Sequence, residues 1–79
     1  MTIQVLFFGA TASLVGERRI DVLMADGSTT QTVFDQMKEQ FPKLGGLKLL
    51  YSLNQNYATG NEIIRDDDEV AVFTPVSGG

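Results

Sequence analysis

Ser28-Thr29-Thr30-Gln31-Thr32-Val33-Phe34-Asp35-Gln36-Met37-Lys38-Glu39-Gln40-Phe41 decides the fold of this chain. Val33, Phe34, Met37 and Phe41 recur at i, i+1, i+4 and i+8, which sets them on one stripe of an α-helix. Ser28 with Gln31 fits a capping box, and Thr29 is the alternative cap one residue later. Pro42 and the pair Gly45-Gly46 end the helix. This is the one long helix that the pattern offers. One helix covers one face of a sheet, so the class is a two-layer α+β domain.

Strands flank the helix on both sides. Residues 2–8 alternate, with Ile3, Val5 and Phe7 pointing one way and Gln4, Leu6 and Phe8 the other. Both faces of this strand carry large apolar groups toward its end. Residues 9–16 form a connection with room for a short helix closed by Gly16. A second strand at 18–24 places Ile20, Val22 and Met24 on one face, and Asp26-Gly27 turns the chain into the helix. Beyond the helix, residues 47–53 read as a third strand and Asn54-Gln55-Asn56 as a turn, with a short edge segment starting at Tyr57. The acidic run Asp66-Asp67-Asp68-Glu69 leads into a last strand, Val70 to Phe73, which Pro75 stops. The body is thus 1–74, and 75–79 is a tail.

Composition removes whole classes of function. The chain has 79 residues, enough for one core, and 43% of them are hydrophobic. With no Cys and no His it has no thiolate nucleophile, no Ser/His pair and no imidazole or thiolate metal cage. A domain of this size also has little room for a deep cleft around two carboxylates, so an enzyme is not expected and no bound cofactor or metal is expected. The net charge is −4 and the basic residues do not cluster beyond Arg18-Arg19, which argues against nucleic acid. The longest apolar run, Val5-Leu6-Phe7-Phe8, is too short to cross a bilayer, and no basic lead marks a signal peptide. The expected location is the cytosol.

Two features remain that carry chemistry. The sequence closes on Gly78-Gly79. Such a pair arises by chance in roughly one chain in two hundred at average glycine usage. Two residues without Cβ make a thin thread that can enter a narrow tunnel and present a carboxylate. From Thr74 to Gly79 an extended chain reaches about 20 Å. The second feature is an apolar surplus on the sheet. If Ile3, Val5, Phe7, Val70 and Val72 face the helix, then Leu6, Phe8, Ala71 and Phe73 face outward. With first and last strands side by side, Phe8 and Phe73 share one exposed surface, and Tyr57 adjoins it. Grouped exposed rings of this kind mark an interface, unless loops cover them or the two faces are exchanged. The acidic run lacks calcium-loop spacing and reads as a solvated turn.

Three stretches together resemble the small subunit of molybdopterin synthase. They are Ile3-Gln4-Val5-Leu6-Phe7-Phe8-Gly9-Ala10, Ser13-Leu14-Val15-Gly16, and the run from Asp66-Asp67-Asp68-Glu69 through Val76-Ser77-Gly78-Gly79. Leu53-Asn54-Gln55 fits the same pattern. Asp67 stands where the family usually has Gly, Thr74 where it usually has Pro, and Thr11-Ala12-Ser13 where charged residues are common. The resemblance implies a β-grasp (ubiquitin-like) fold, a mixed sheet on one main helix with the last strand beside the first. It also implies a carrier. A partner adenylating, E1-like enzyme uses ATP to activate the Gly79 carboxylate, and a sulfur donor enzyme converts it to a thiocarboxylate. The large synthase subunit then receives the tail, with Val76, Ser77 and Gly78 lining its tunnel and Phe8, Tyr57 and Phe73 docking. A protein modifier conjugated through Gly79, the sulfur carrier of thiamine synthesis, and a plain binding module with an incidental tail share many of these features.

Overall fold

The central strands form where large apolar side chains alternate, and the short edge strand Asn56–Tyr57 pairs on without such a pattern. In chain order the computed structural model contains β1 (Thr2–Phe7), α1 (Ala10–Val15), β2 (Arg19–Leu23) and α2 (Thr30–Gln40). A 3₁₀ turn (Pro42–Gly46), β3 (Leu50–Leu53), β4 (Asn56–Tyr57) and β5 (Glu69–Phe73) follow. The structure describes residues 1–75, so Val76, Ser77, Gly78 and Gly79 lie outside the described residues. The five strands run in the order β2-β1-β5-β3-β4. β1 and β5 are parallel at the centre, with Val5 beside Val70 and Phe7 beside Val72. The other pairs are antiparallel. This is the expected two-layer β-grasp arrangement.

The core lies between the sheet and α2. Ile3, Val5, Phe7, Val70 and Val72 meet Val33, Met37, Leu44 and Ile64, all fully or almost fully buried. Phe41 packs edge-on against Phe7, ring centroids 5.8 Å apart. Phe34 stacks on Tyr51 of β3 at 4.5 Å, and the Lys38 ammonium sits over the Phe34 ring, 4.7 Å from its centre. The predicted stripe of the helix is therefore its inner face. Burial, and after it the carboxylates of Glu62 and Asp35, raise the Tyr51 phenol above its ordinary range.

Most boundaries shift by one residue from the sequence reading, the second of its two cap candidates is used, and the third strand moves further. The helix cap is Thr29, whose Oγ1 accepts the Thr32 N–H, while Ser28 donates its hydroxyl to the Ala25 carbonyl. Gln31 completes no capping box, because its amide is engaged with Asp35 and its carbonyl oxygen with Tyr51. The third strand starts at Leu50, not at residue 47. Pro42 opens a 3₁₀ turn that drives Leu44 into the core, and the chain uses residues 47–49 to climb back to the sheet. Gly45 and Gly46 lie within that turn and do not simply terminate the helix.

The segment from Gly60 to Ile64 seals the start of α2. The Thr30 and Gln31 N–H groups, which a helix leaves without internal partners, donate to the carbonyls of Glu62 and Gly60. The Glu62 carboxylate then accepts from the Thr59 N–H at 2.8 and 3.0 Å, the Gly60 N–H at 3.0 Å, and the Thr30 hydroxyl at 2.8 Å. The acidic run behaves similarly. Asp66 accepts the Thr2 N–H, Asp68 accepts the Arg65 N–H, and Asp67 holds the left-handed turn between them at φ 67°.

These bonds, led by the Thr59 N–H, hold the Glu62 carboxyl down at about 2 against an ordinary 4.5. A group with a depressed folded-state value supports stability above its unfolded value, and that support is lost as pH falls toward the folded one. Urea unfolding of the wild type should therefore show falling stability between about pH 5 and pH 2. Glu62→Gln should be less stable at neutral pH and show a shallower acid decline. An unchanged acid slope in Glu62→Gln would contradict the clamp.

Candidate functional site

The outer face of the sheet carries the predicted apolar surface. Because β1 and β5 are parallel and in register from Gln4 beside Glu69 to Phe7 beside Val72, the next residues, Phe8 and Phe73, emerge at the same end. Cross-strand register then sets Leu50 opposite Phe73, Ala71 opposite both Leu6 and Ser52, and Tyr57 opposite Ser52. The residues 6, 8, 50, 57, 71 and 73 thus share one face. Phe8 is 53% and Tyr57 76% exposed, and Phe73 is half-buried between them. The Tyr57 and Phe73 rings lie 6.0 Å apart. Phe8, Gly9, Phe73 and Thr74 line a shallow, mostly apolar hollow of about 370 Å³.

All three aromatic residues proposed for docking are therefore brought together. Ala71 faces outward as expected but is itself buried, since a methyl group between Leu6 and Ser52 is covered by its neighbours. Leu50 was not singled out from the sequence. Its face depends on pairing with Phe73, which local alternation does not reveal. Beyond the aromatics the same face turns polar, where Arg19 of β2 donates to the Gln4 side chain of β1.

Local backbone chemistry makes Phe8 protrude. Gly9 adopts φ 58° and ψ −127°, a conformation closed to residues with a Cβ, and this reverses the chain directly after Phe8. α1 begins at once and ends on Gly16 in the left-handed region, whose N–H returns to the Ala12 carbonyl. Phe8 is consequently left at the rim of the sheet instead of continuing down it. The tail residues Val76, Ser77, Gly78 and Gly79 lie outside the described residues. Thr74, the residue after β5, lines the aromatic hollow.

The chain is thus a ubiquitin-like β-grasp body with an apolar patch at the rim where its last strand ends. Comparison with known proteins takes this further: the chain belongs to the ThiS family, which it matches over residues 5–79. It is 35% identical over 79 residues to the molybdopterin synthase sulfur carrier subunit of Arabidopsis thaliana, across 98% of this chain and 82% of that protein. Among solved structures, SAMP1 from Haloferax volcanii superposes with a TM-score of 0.88 at 24% identity, covering 100% of both chains. A complex of subunits 1 and 2 of the molybdopterin-converting factor from Helicobacter pylori contains a chain with a TM-score of 0.67 and 25% identity, again covering 100% of both. No helix among the described residues is long and apolar enough to cross a membrane.

The patch and the core can be separated at adjacent positions. Phe7→Ala should cost about 3–5 kcal/mol, most of the stability of a domain this small. Phe8→Ala, next to it but on the outer rim, should stay within about 1 kcal/mol of wild type. Urea denaturation of both variants checks the assignment of faces, and equal losses would refute it.

Proposed function

We propose that this chain is the sulfur carrier subunit of a molybdopterin synthase and acts through its Gly79 carboxylate in the synthesis of the molybdenum cofactor. The observation that carries this reading is a match to sulfur carrier subunits over nearly the whole chain, reaching residue 79. The aromatic patch beside the root of the tail supports it, because a carrier must dock and extend its end in one act.

The chemistry belongs mostly to partners. A carboxylate is a poor electrophile until its oxygen is esterified by a good leaving group. In an adenylating enzyme the Gly79 carboxylate attacks the α-phosphorus of ATP and releases pyrophosphate. A donor enzyme supplies sulfur at the hydrosulfide level, which adds to the acyl carbon and gives up its proton while AMP leaves with the C–O bond electrons. The product is a thiocarboxylate, a competent sulfur nucleophile near neutral pH. In the large synthase subunit, that sulfur passes to a pterin precursor. The complex of subunits 1 and 2 in the Helicobacter pylori factor supports such a two-subunit assembly. In this scheme Val76, Ser77 and Gly78 line the partner's tunnel, and Gly78 gives clearance where a Cβ would not pass. Phe8, Tyr57 and Phe73 seat the body. The carrier supplies no acid, base or metal, so the catalytic side chains sit on the large subunit. The cytosol, where ATP-dependent activation is available, is the proposed location.

Treatment with adenylating enzyme, ATP and a sulfur source should raise the intact mass by one oxygen-for-sulfur exchange, mapped to Gly79. Deleting Gly79 should abolish the gain. Phe8→Ala and Phe73→Ala should each weaken binding to the large subunit by about tenfold, or ~1.4 kcal/mol. No mass gain with competent partners would refute the carrier reading, and covalent adducts on many proteins in a cell extract would favour a modifier.

A further inference from the structure

Thr11 is fully buried, and a hydroxyl there has a specific set of partners. Its Oγ1 accepts the Phe8 N–H at 3.0 Å. Its single proton is shared between the Phe8 carbonyl at 2.7 Å and the Val72 carbonyl at 2.9 Å. The Phe8 N–H also reaches the Val72 carbonyl at 3.3 Å, just beyond the last paired residues of the two strands. Valine would fill the same space but form none of these bonds.

The place matters because β1 and β5 are parallel. No hairpin turn joins parallel strands, so their shared end is held only by hydrogen bonds and packing. Both halves of the aromatic patch and the root of the tail leave from that end. Phe8 is the residue that the hydroxyl grips, and Phe73 and Thr74 follow Val72 directly. A small splay here changes the angle at which the tail leaves a docked body, and the displacement grows along an extended tail. Misplacement of a reacting atom by about 1 Å can cost on the order of 100-fold in rate.

We propose that Thr11 is a positioning residue for sulfur transfer: its hydroxyl clasps the ends of β1 and β5 and fixes the tail's exit relative to the docking aromatics. This rests on the sulfur-carrier reading above. Thr11→Val keeps the Phe8, Tyr57 and Phe73 side chains that dock, so the loss of the clasp is read in the transfer rate and not in affinity.

The test uses full-length chain already carrying the thiocarboxylate, mixed with large subunit and pterin precursor in single-turnover reactions. Thr11→Val should slow transfer at saturating large subunit by ~10-fold or more. Its Kd for that subunit should stay within about threefold of wild type, and Thr11→Ser should recover the rate to within about threefold. Wild-type rates in Thr11→Val, a loss confined to Kd, or a Ser variant as slow as Val would each overturn the proposal. If Thr11→Val does not fold, amide exchange in the wild type decides. The Phe8 N–H should be protected like the core strand amide of Val5, and exchange as fast as an exposed loop would overturn the clasp. A wild-type chain that transfers no sulfur would overturn the carrier reading and this one with it. Transfer by wild type with an indifferent Thr11→Val removes the clasp alone.

Discussion

The parallel pairing of β1 and β5 is the constraint on which the rest of this structure depends. It places the first and last strands together at the centre of the sheet, where Ile3, Val5, Val70 and Val72 lose all contact with solvent on the inner face. Burial of this kind supplies most of the driving force for a domain of this length. The same pairing decides the outer face. Residues far apart in sequence leave the sheet at one rim, so the aromatic patch and the start of the tail become neighbours without a dedicated loop. Hydrophobic burial and functional geometry here come from one set of hydrogen bonds.

A chain with no Cys must hold its loops by other means. It does so by pointing short polar side chains at backbone groups. Thr29 caps the helix, Glu62 gathers the loop before β5, Asp66 fastens the final turn to β1, and Asp68 closes that turn on the Arg65 N–H. Asn54 adds a further tie, its side chain accepting the Glu69 N–H and donating to Asp68, whose carboxylate reaches no residue of β1. Each such bond is modest, on the order of 1 kcal/mol. Their value lies in leaving no buried side-chain polar atom unpaired among the described residues. The buried hydroxyl of Thr11 is the same device applied where two strands end.

How much of this was legible in the sequence depended on distance along the chain. The stripe of Val33, Phe34, Met37 and Phe41 repeats at helical period, so both the helix and its inner face could be read directly. Alternation in the first and last strands set Phe8 and Phe73 on the faces opposite Phe7 and Val72, but which face meets the helix is settled only by the packed core. Their adjacency then needed the strand order, which the family resemblance provided. The 3₁₀ turn was missed because residues 47–50 are leucine-rich and mimic a strand, while the burial of Leu44 that displaces the strand start is a tertiary effect. Glu62 and Thr11 were illegible for a related reason. Thr11 and Val72 are 61 positions apart, Thr30 and Glu62 are 32, and no local pattern announces either meeting.

The position of β5 also bears on how the molecule is made. A ribosome delivers a chain from its N-terminus, yet here the middle of the sheet is synthesised late. Until Phe73 has emerged, β1 and β3 each lack a neighbour and present open strand edges, and the α2 side of the core stays unsealed. The nascent domain therefore cannot close in stages. Its sheet is complete only after nearly all of its strands are available, and a chain stopped before β5 lacks the strand that joins β1 to β3.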